Sequence, residues 1–251
     1  MKNATVIFCL NLSFFIHHSA FTPMVITIDG PAGTGKSTVA LAVAARLDFD
    51  FLDTGAMYRA IGLYALRREM NLQDTRELAF VARLARIQFD WSQRPPRLLL
   101  NGESVGHLLR GGDCTRAASF VAVVPAIRDM LVQQQRQIVL ERGNIVTEGR
   151  DQGTVVFPNA ELKVFLDAAP AERAQRRVTQ LRARGEIAEY NEILSDILAR
   201  DRRDATRSVG PTAVAGDAIV IDTTKMAESA VVDQIVEKAE ALRLQCLGPT
   251  G

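Results

Sequence analysis

Residues 25–47 read VITIDGPAGTGKSTVALAVAARL. The apolar run 25–29 has the length and composition of a buried strand, and 37–47 carries Val39, Ala40, Val43, Ala44 and Leu47 at the spacing of one helix face. Between them Gly30 to Ser37 satisfies G-x-x-x-x-G-K-[ST] in full. Gly30, Gly33 and Gly35 lack a Cβ, so the backbone can wrap closely around phosphate oxygens. The amides of Pro31's successors Ala32 and Thr34, and those at the helix start through Thr38, then point partial positive charge at an anion. Lys36 is placed to reach the β- and γ-phosphates, and the Ser37 hydroxyl to meet a Mg²⁺ ion. The pattern predicts a nucleoside triphosphate, ATP in the reading adopted here. The loop alone does not separate a kinase from a GTPase or a motor.

The rest of the chain decides what stands opposite that triphosphate. The 251 residues suffice for one large domain or two small ones, with 47% hydrophobic and 24% charged residues, as in an ordinary soluble globular protein. A net charge of +1 argues against a nucleic-acid binder that works through a broad basic surface. The arginines are nevertheless concentrated between Glu172 and Arg207, where a triphosphate site makes an anion clamp the favoured reading over a solvated helix face. Three scattered cysteines, Cys9, Cys114 and Cys246, have neither disulfide nor metal spacing and fit a reducing, cytoplasmic compartment. Residues 1–23 faintly resemble a secretory signal, but their apolar run is interrupted by Asn11, Ser13, His17 and His18 and is too short to span a membrane. The expectation is translation from Met24, or a disordered extension, rather than a targeting segment.

Strand candidates at 25–29, 50–52, 145–148, 162–166 and 218–221 alternate with helical patterns, which predicts an α/β fold with a parallel five-stranded sheet covered on both faces. The interval between the second and third strands is too long for a simple crossover. It holds helical patterns at 56–68, 75–86 and 125–141, and a small β unit, IQFDW followed by RLLLNGES with an Asn-Gly turn. An acceptor-binding insertion of about 56–141 and a short mobile lid of about 170–210 are expected within a domain spanning 24–251.

Three polar clusters fall at strand ends, where α/β sheets place ligands: LDTGAMYR, EGRDQGTVVFP and RDRRDATRSVGP. With GPAGTGKST, RAAS and FLDA followed by ERAQRR, they make the chain resemble the bacterial-type cytidylate kinases from about Val25 to its C-terminal helix. The resemblance implies a P-loop NTPase fold and transfer of the ATP γ-phosphate, with bound Mg²⁺, to CMP or dCMP. It implies that Thr54, Arg59, Ser119, Arg128, Arg150, Asp151, Arg200, Asp204 and Arg207 hold the acceptor. Among these Arg150 would meet phosphate, Asp151 the cytosine amino group, Ser119 and Arg128 the base, and Arg200 and Arg207, with Lys36, the transferring group. It further implies a monomer without nucleic-acid or membrane partners. The chemistry agrees: an acceptor phosphate is already ionised at neutral pH, so catalysis reduces to aligning two anions and screening their repulsion. Gln152 and Asn159 depart from the family's more usual aliphatic and Asp residues. Other small-molecule kinases, such as adenylate or uridylate kinases, and a nucleotide-binding switch without turnover, are the competing readings.

Overall fold

A computed structural model describes residues 23–246; the expectation for the N-terminal extension falls on residues outside these, apart from Pro23. The chain opens with β1 (Val25–Asp29), α1 (Lys36–Leu47) and β2 (Asp50–Asp53). It continues through α2 (Thr54–Arg67), α3 (Thr75–Leu84), β3 (Ile87–Asp90), β4 (Arg97–Leu100), β5 (Glu103–Ser104), α4 (Gly112–Val121) and α5 (Pro125–Arg142). Then come β6 (Ile145–Glu148), a π-helical turn (Gln152–Val156), β7 (Leu162–Asp167), α6 (Pro170–Arg182), α7 (Tyr190–Thr206), β8 (Ile219–Asp222) and α8 (Glu228–Cys246).

Five strands form one parallel sheet, as the alternation of apolar runs and helical patterns predicts, and their order is β2-β6-β1-β7-β8. In β1 the side chains alternate in purpose. Ile26 and Ile28 are fully buried against Val39, Ala40, Val43 and Ala44 of α1 and Val231, Val232, Ile235 and Val236 of α8. Each such aliphatic side chain contributes about 1.5–3 kcal/mol through burial. Thr27 and Asp29 face the other side of the sheet and are also buried, so that face carries polar chemistry within the core.

Between β2 and β6, four helices and the antiparallel sheet β3-β4-β5 enclose a second core built on Met57, Ile61, Leu78, Leu100, Ile127 and Leu131. The Asn-Gly pair between β4 and β5 has positive φ at both residues, 51° at Asn101 and 85° at Gly102, as a tight hairpin turn requires. α6 and α7 pack on each other through Val178, Leu181, Ala188, Tyr190 and Ile193.

Observed boundaries differ from the expected ones by a residue or two. α2 starts at Thr54 rather than at 56, because the Asp53 side chain caps it by accepting the Ala56 amide at 2.7 Å. Tyr58 and Arg59 therefore lie a full turn inside α2.

Candidate active site

The phosphate loop leaves the carboxyl end of the central strand β1. A Cβ on Gly30, at φ +142°, would sit 2.0 Å from the Leu166 carbonyl oxygen, so only glycine lets the loop pass β7 this closely. Gly35 is the N-cap of α1 at φ 92° and supplies no side-chain cap, so the first amides of α1 have no side-chain acceptor at the cap. Lys36 is buried and folds back over its own loop, donating to the Pro31 carbonyl at 2.7 Å. Thr34 donates to the same carbonyl at 3.2 Å. Ser37 and Thr38 lie exposed at the helix start.

Glu148 ends β6, beside β1, and faces this loop. Its carboxylate accepts from Ser37 Oγ at 2.7 Å, and its carbonyl accepts from Thr54 Oγ1 at 2.7 Å. Burial, then the neighbouring Asp53, raise the Glu148 carboxyl above its ordinary range, against the pull of Lys36. A hydroxyl and a carboxylate in contact form a hard-oxygen donor set that suits Mg²⁺. Glu148 received no role from the sequence, although a carboxylate ending the strand beside a phosphate loop is the signal that could have found it.

Opposite the loop stand four more cations. Arg59 pairs with Asp53 at 2.7 Å, Arg150 with Asp204 at 3.2 Å, and Arg200 with Asp204 at 3.8 Å. Arg207 lies 3.8 Å from both Asp151 and Asp204. Positive charge outweighs negative locally. Lys36 is brought down to about 7, chiefly by burial and then by Arg150 and Arg200. Arg200 is lowered to about 10, by burial first and Arg150 second. A cluster this unfavourable to its own cations is arranged for a polyanion.

Deeper in the cleft, Asp151 (4% exposed) forms a close ion pair with Arg128 (2% exposed), which also donates to the Ala122 carbonyl at 3.3 Å and lies over the Tyr58 ring. Gly210 covers this pair: a Cβ there would meet both Arg128 Nη2 and Asp151 Oδ2 at 2.2 Å. Arg207 Nε donates to the Gly210 carbonyl.

The structure thus gathers Lys36, Ser37, Thr54, Arg59, Arg128, Arg150, Asp151, Arg200, Asp204 and Arg207 around one cleft. Ser119 is half-buried on α4 with its hydroxyl turned back to the Thr115 carbonyl at 3.4 Å, and its hydrogen bonding does not join it to the cluster. Arg173 also had no assigned role. It is buried, donates to the Ala32 carbonyl at 3.0 Å and pairs with Asp201 at 2.7 Å, tying α7 to the phosphate loop. A cavity of about 550 Å³ opens beside it, lined among others by Pro31, Ala168, Asp204, Thr212 and Thr224. That cavity borders the arginine cluster through Asp204, whereas the Asp151–Arg128 pair is covered by Gly210.

Comparison with known proteins agrees with this geometry. Residues 26–241 match the family model described as Cytidylate kinase. The chain is 44% identical over 211 residues to a cytidylate kinase of Pasteurella multocida (strain Pm70), covering 84% of this chain and 92% of that protein. It is 44% identical over 219 residues to a cytidylate kinase of Pelotomaculum thermopropionicum, covering 87% and 96%. Identity reaches 49% over 214 residues with a bifunctional pantoate ligase/cytidylate kinase of a Synechococcus strain, where 84% of this chain spans only 39% of the relative's length. Among solved structures, an uncharacterized protein from Eubacterium ventriosum superposes with a TM-score of 0.50 at 14% identity, covering 87% of this chain and 99% of the other, a likeness of fold alone. A central parallel sheet with a phosphate loop after its middle strand, five converging arginines, and these relatives lead to one conclusion: the chain belongs to the cytidylate kinase family.

Proposed function

We propose that this protein transfers the γ-phosphate of ATP to CMP or dCMP, giving ADP and the cytidine diphosphate. The observation that carries the reading is the gathering of Arg150 and Arg200 beside Lys36, with Arg59 on Asp53, Arg207 on Asp204 and the Asp151–Arg128 pair adjoining them. The backbone N–H groups of Gly30 and of residues 32–38 hold the donor phosphates, and Lys36 follows the migrating group. Ser37 and Glu148 would hold Mg²⁺, which supplies charge neutralisation at the β- and γ-phosphates.

On the acceptor side Arg59 and Arg150 bind the monophosphate, and Arg200 and Arg207 screen the repulsion between the two anions. Thr54 and Asp204 fix the walls around it. No general base is required, because the attacking phosphate oxygen is already ionised. Asp151 accepts from the cytosine N4 amino group, whereas the uracil O4 acceptor would face it unfavourably. Arg128 holds Asp151, and Ser119 lies on the helix leading to Arg128. Since Gly210 covers Asp151, CMP enters when the segment around 207–212 opens, and residues of about 170–210 act as a lid that recloses over both nucleotides.

Incubating the protein with ATP, Mg²⁺ and CMP, dCMP, UMP or AMP, with product identification by mass, tests the reading. The expected result is CDP or dCDP with matching ADP, and at least about tenfold lower kcat/KM for UMP and AMP, as one discriminating base-edge contact supplies. ADP release without a phosphorylated acceptor, or preference for AMP or UMP, would refute it.

A further inference from the structure

Asp29, the last residue of β1, is 4% exposed and has no part in the phosphate chemistry above. Both of its carboxylate oxygens are committed. Oδ1 accepts the Gln152 amide at 2.9 Å and Oδ2 the Gly153 amide at 2.7 Å. These are the two amides that directly follow Asp151, at the start of the π-helical turn. The far end of the same turn is held by Arg136, whose Nε donates to the Val156 carbonyl and Nη2 to the Val155 carbonyl, each at 2.9 Å.

The turn is also seated flat on the sheet. A Cβ on Gly153 would lie 2.9 Å from Thr27 Oγ1. The Gln152 side chain accepts from Thr147 Oγ1 at 2.5 Å and donates to Gln135 at 3.3 Å. Asp29 is at the same time the residue from which the phosphate loop departs. One residue is therefore bonded through its backbone to the donor loop and through two accepted hydrogen bonds to the turn that follows Arg150 and Asp151. The arrangement is held against a cost: burial pushes the Asp29 carboxyl up to about 6, opposed by the two amides and, more weakly, by Lys36. A neutral side chain would be easier to bury, so packing alone does not account for a carboxylate here.

We propose that Asp29 is a positioning residue: its carboxylate fixes the angle at which Asp151 and Arg150 face the phosphate loop, and so keeps the acceptor base in register with the donor phosphates. This rests on the proposed function for its kinetic consequences, but the lock itself is measurable without any acceptor.

The test uses the full chain with two variants. Asp29→Asn keeps one acceptor oxygen and turns an NH₂ group toward the other amide. Arg136→Met releases the opposite end of the turn from an exposed position. In Asp29→Asn, amide exchange at residues 152 and 153 is expected to accelerate by about tenfold or more, the loss of one hydrogen bond to a charged group. The KM for CMP should rise by a similar factor and the CMP-to-UMP ratio should fall. Affinity for ADP, titrated calorimetrically without acceptor, should change by no more than about twofold. Arg136→Met should move the same quantities in the same direction, by less. A residue that only supports the fold would instead lower the melting temperature and depress ADP binding and turnover with every acceptor together; that result overturns the proposal. Unchanged exchange at 152 and 153, or faster exchange with unchanged CMP handling, overturns it equally. Failure of the unsubstituted protein to phosphorylate CMP would overturn the functional reading, while the exchange comparison still decides whether the lock exists.

Discussion

Lys36 carries its charge in a field of its own sign. With its pKa held near 7 by burial, Arg150 and Arg200, the folded protein binds fewer protons at this site than the unfolded chain between pH 7 and the ordinary lysine range. Stability contributed through Lys36 is therefore lowest below about pH 7 and rises with pH toward 10.5. Lys36→Met should remove that dependence, so nucleotide-free wild type should gain melting temperature relative to the variant as pH climbs from 7 to 10. A constant difference between the two would contradict the placement of Lys36. The same substitution should lower kcat by about 10²–10³ or more, the effect of deleting one donor aimed at developing charge, without loss of folded protein. At this scale the sequence was most legible where the geometry is set by contiguous residues, as in the glycine-rich loop and helix start at 30–38. It was least legible where two residues act together across the chain. Ser37 meets Glu148 over a separation of 111 residues and Arg173 meets Ala32 over 141, and no local pattern encodes either contact.

Elements were readable when their signal was local. The Asn101-Gly102 hairpin declares itself through turn chemistry, and its stability should respond accordingly. A Cβ on Gly102 would meet nothing within 4 Å, but φ is +85°, so Gly102→Ala adds backbone strain without a clash. The expected cost is about 1–2 kcal/mol in chemical denaturation, with kcat/KM for CMP unchanged. A neutral effect on stability would mean that the turn is not held in this conformation. The π-helical turn at Gln152–Val156 was not foreseen, for the converse reason. Its five residues have no periodicity to read, and what shapes them, Asp29 at one end and Arg136 at the other, comes from β1 and α5. The two-residue shift of α2 has a similar origin in the Asp53 cap, which also recruits Arg59.

For the whole molecule, alternation of strand and helix patterns was enough to predict a parallel sheet, because each buried strand advertises itself as a short apolar run. It did not predict the strand order, which depends on how the helices pack. None of the described helices is long and apolar enough to cross a membrane. Base selection belongs to this scale, since the proposed reading site joins Asp151 after β6, Arg128 from α5 and the covering segment at Gly210 after α7. Truncating Asp151 to Ala would leave Arg128 buried and unpaired, at a cost of about 3–5 kcal/mol, and would confuse folding with selection. Asn retains an acceptor for Arg128 and can also donate to the O4 of uracil. The most direct measurement is therefore kcat/KM for CMP and for UMP, in the wild type and in Asp151→Asn, with ADP affinity determined alongside. If Asp151 reads the cytosine amino group, the CMP-to-UMP ratio falls by at least about tenfold, or roughly 1.4 kcal/mol, while ADP affinity stays nearly constant. An unchanged ratio accompanied by a large loss of ADP affinity would contradict it, and would place Asp151 with the donor nucleotide instead of the base.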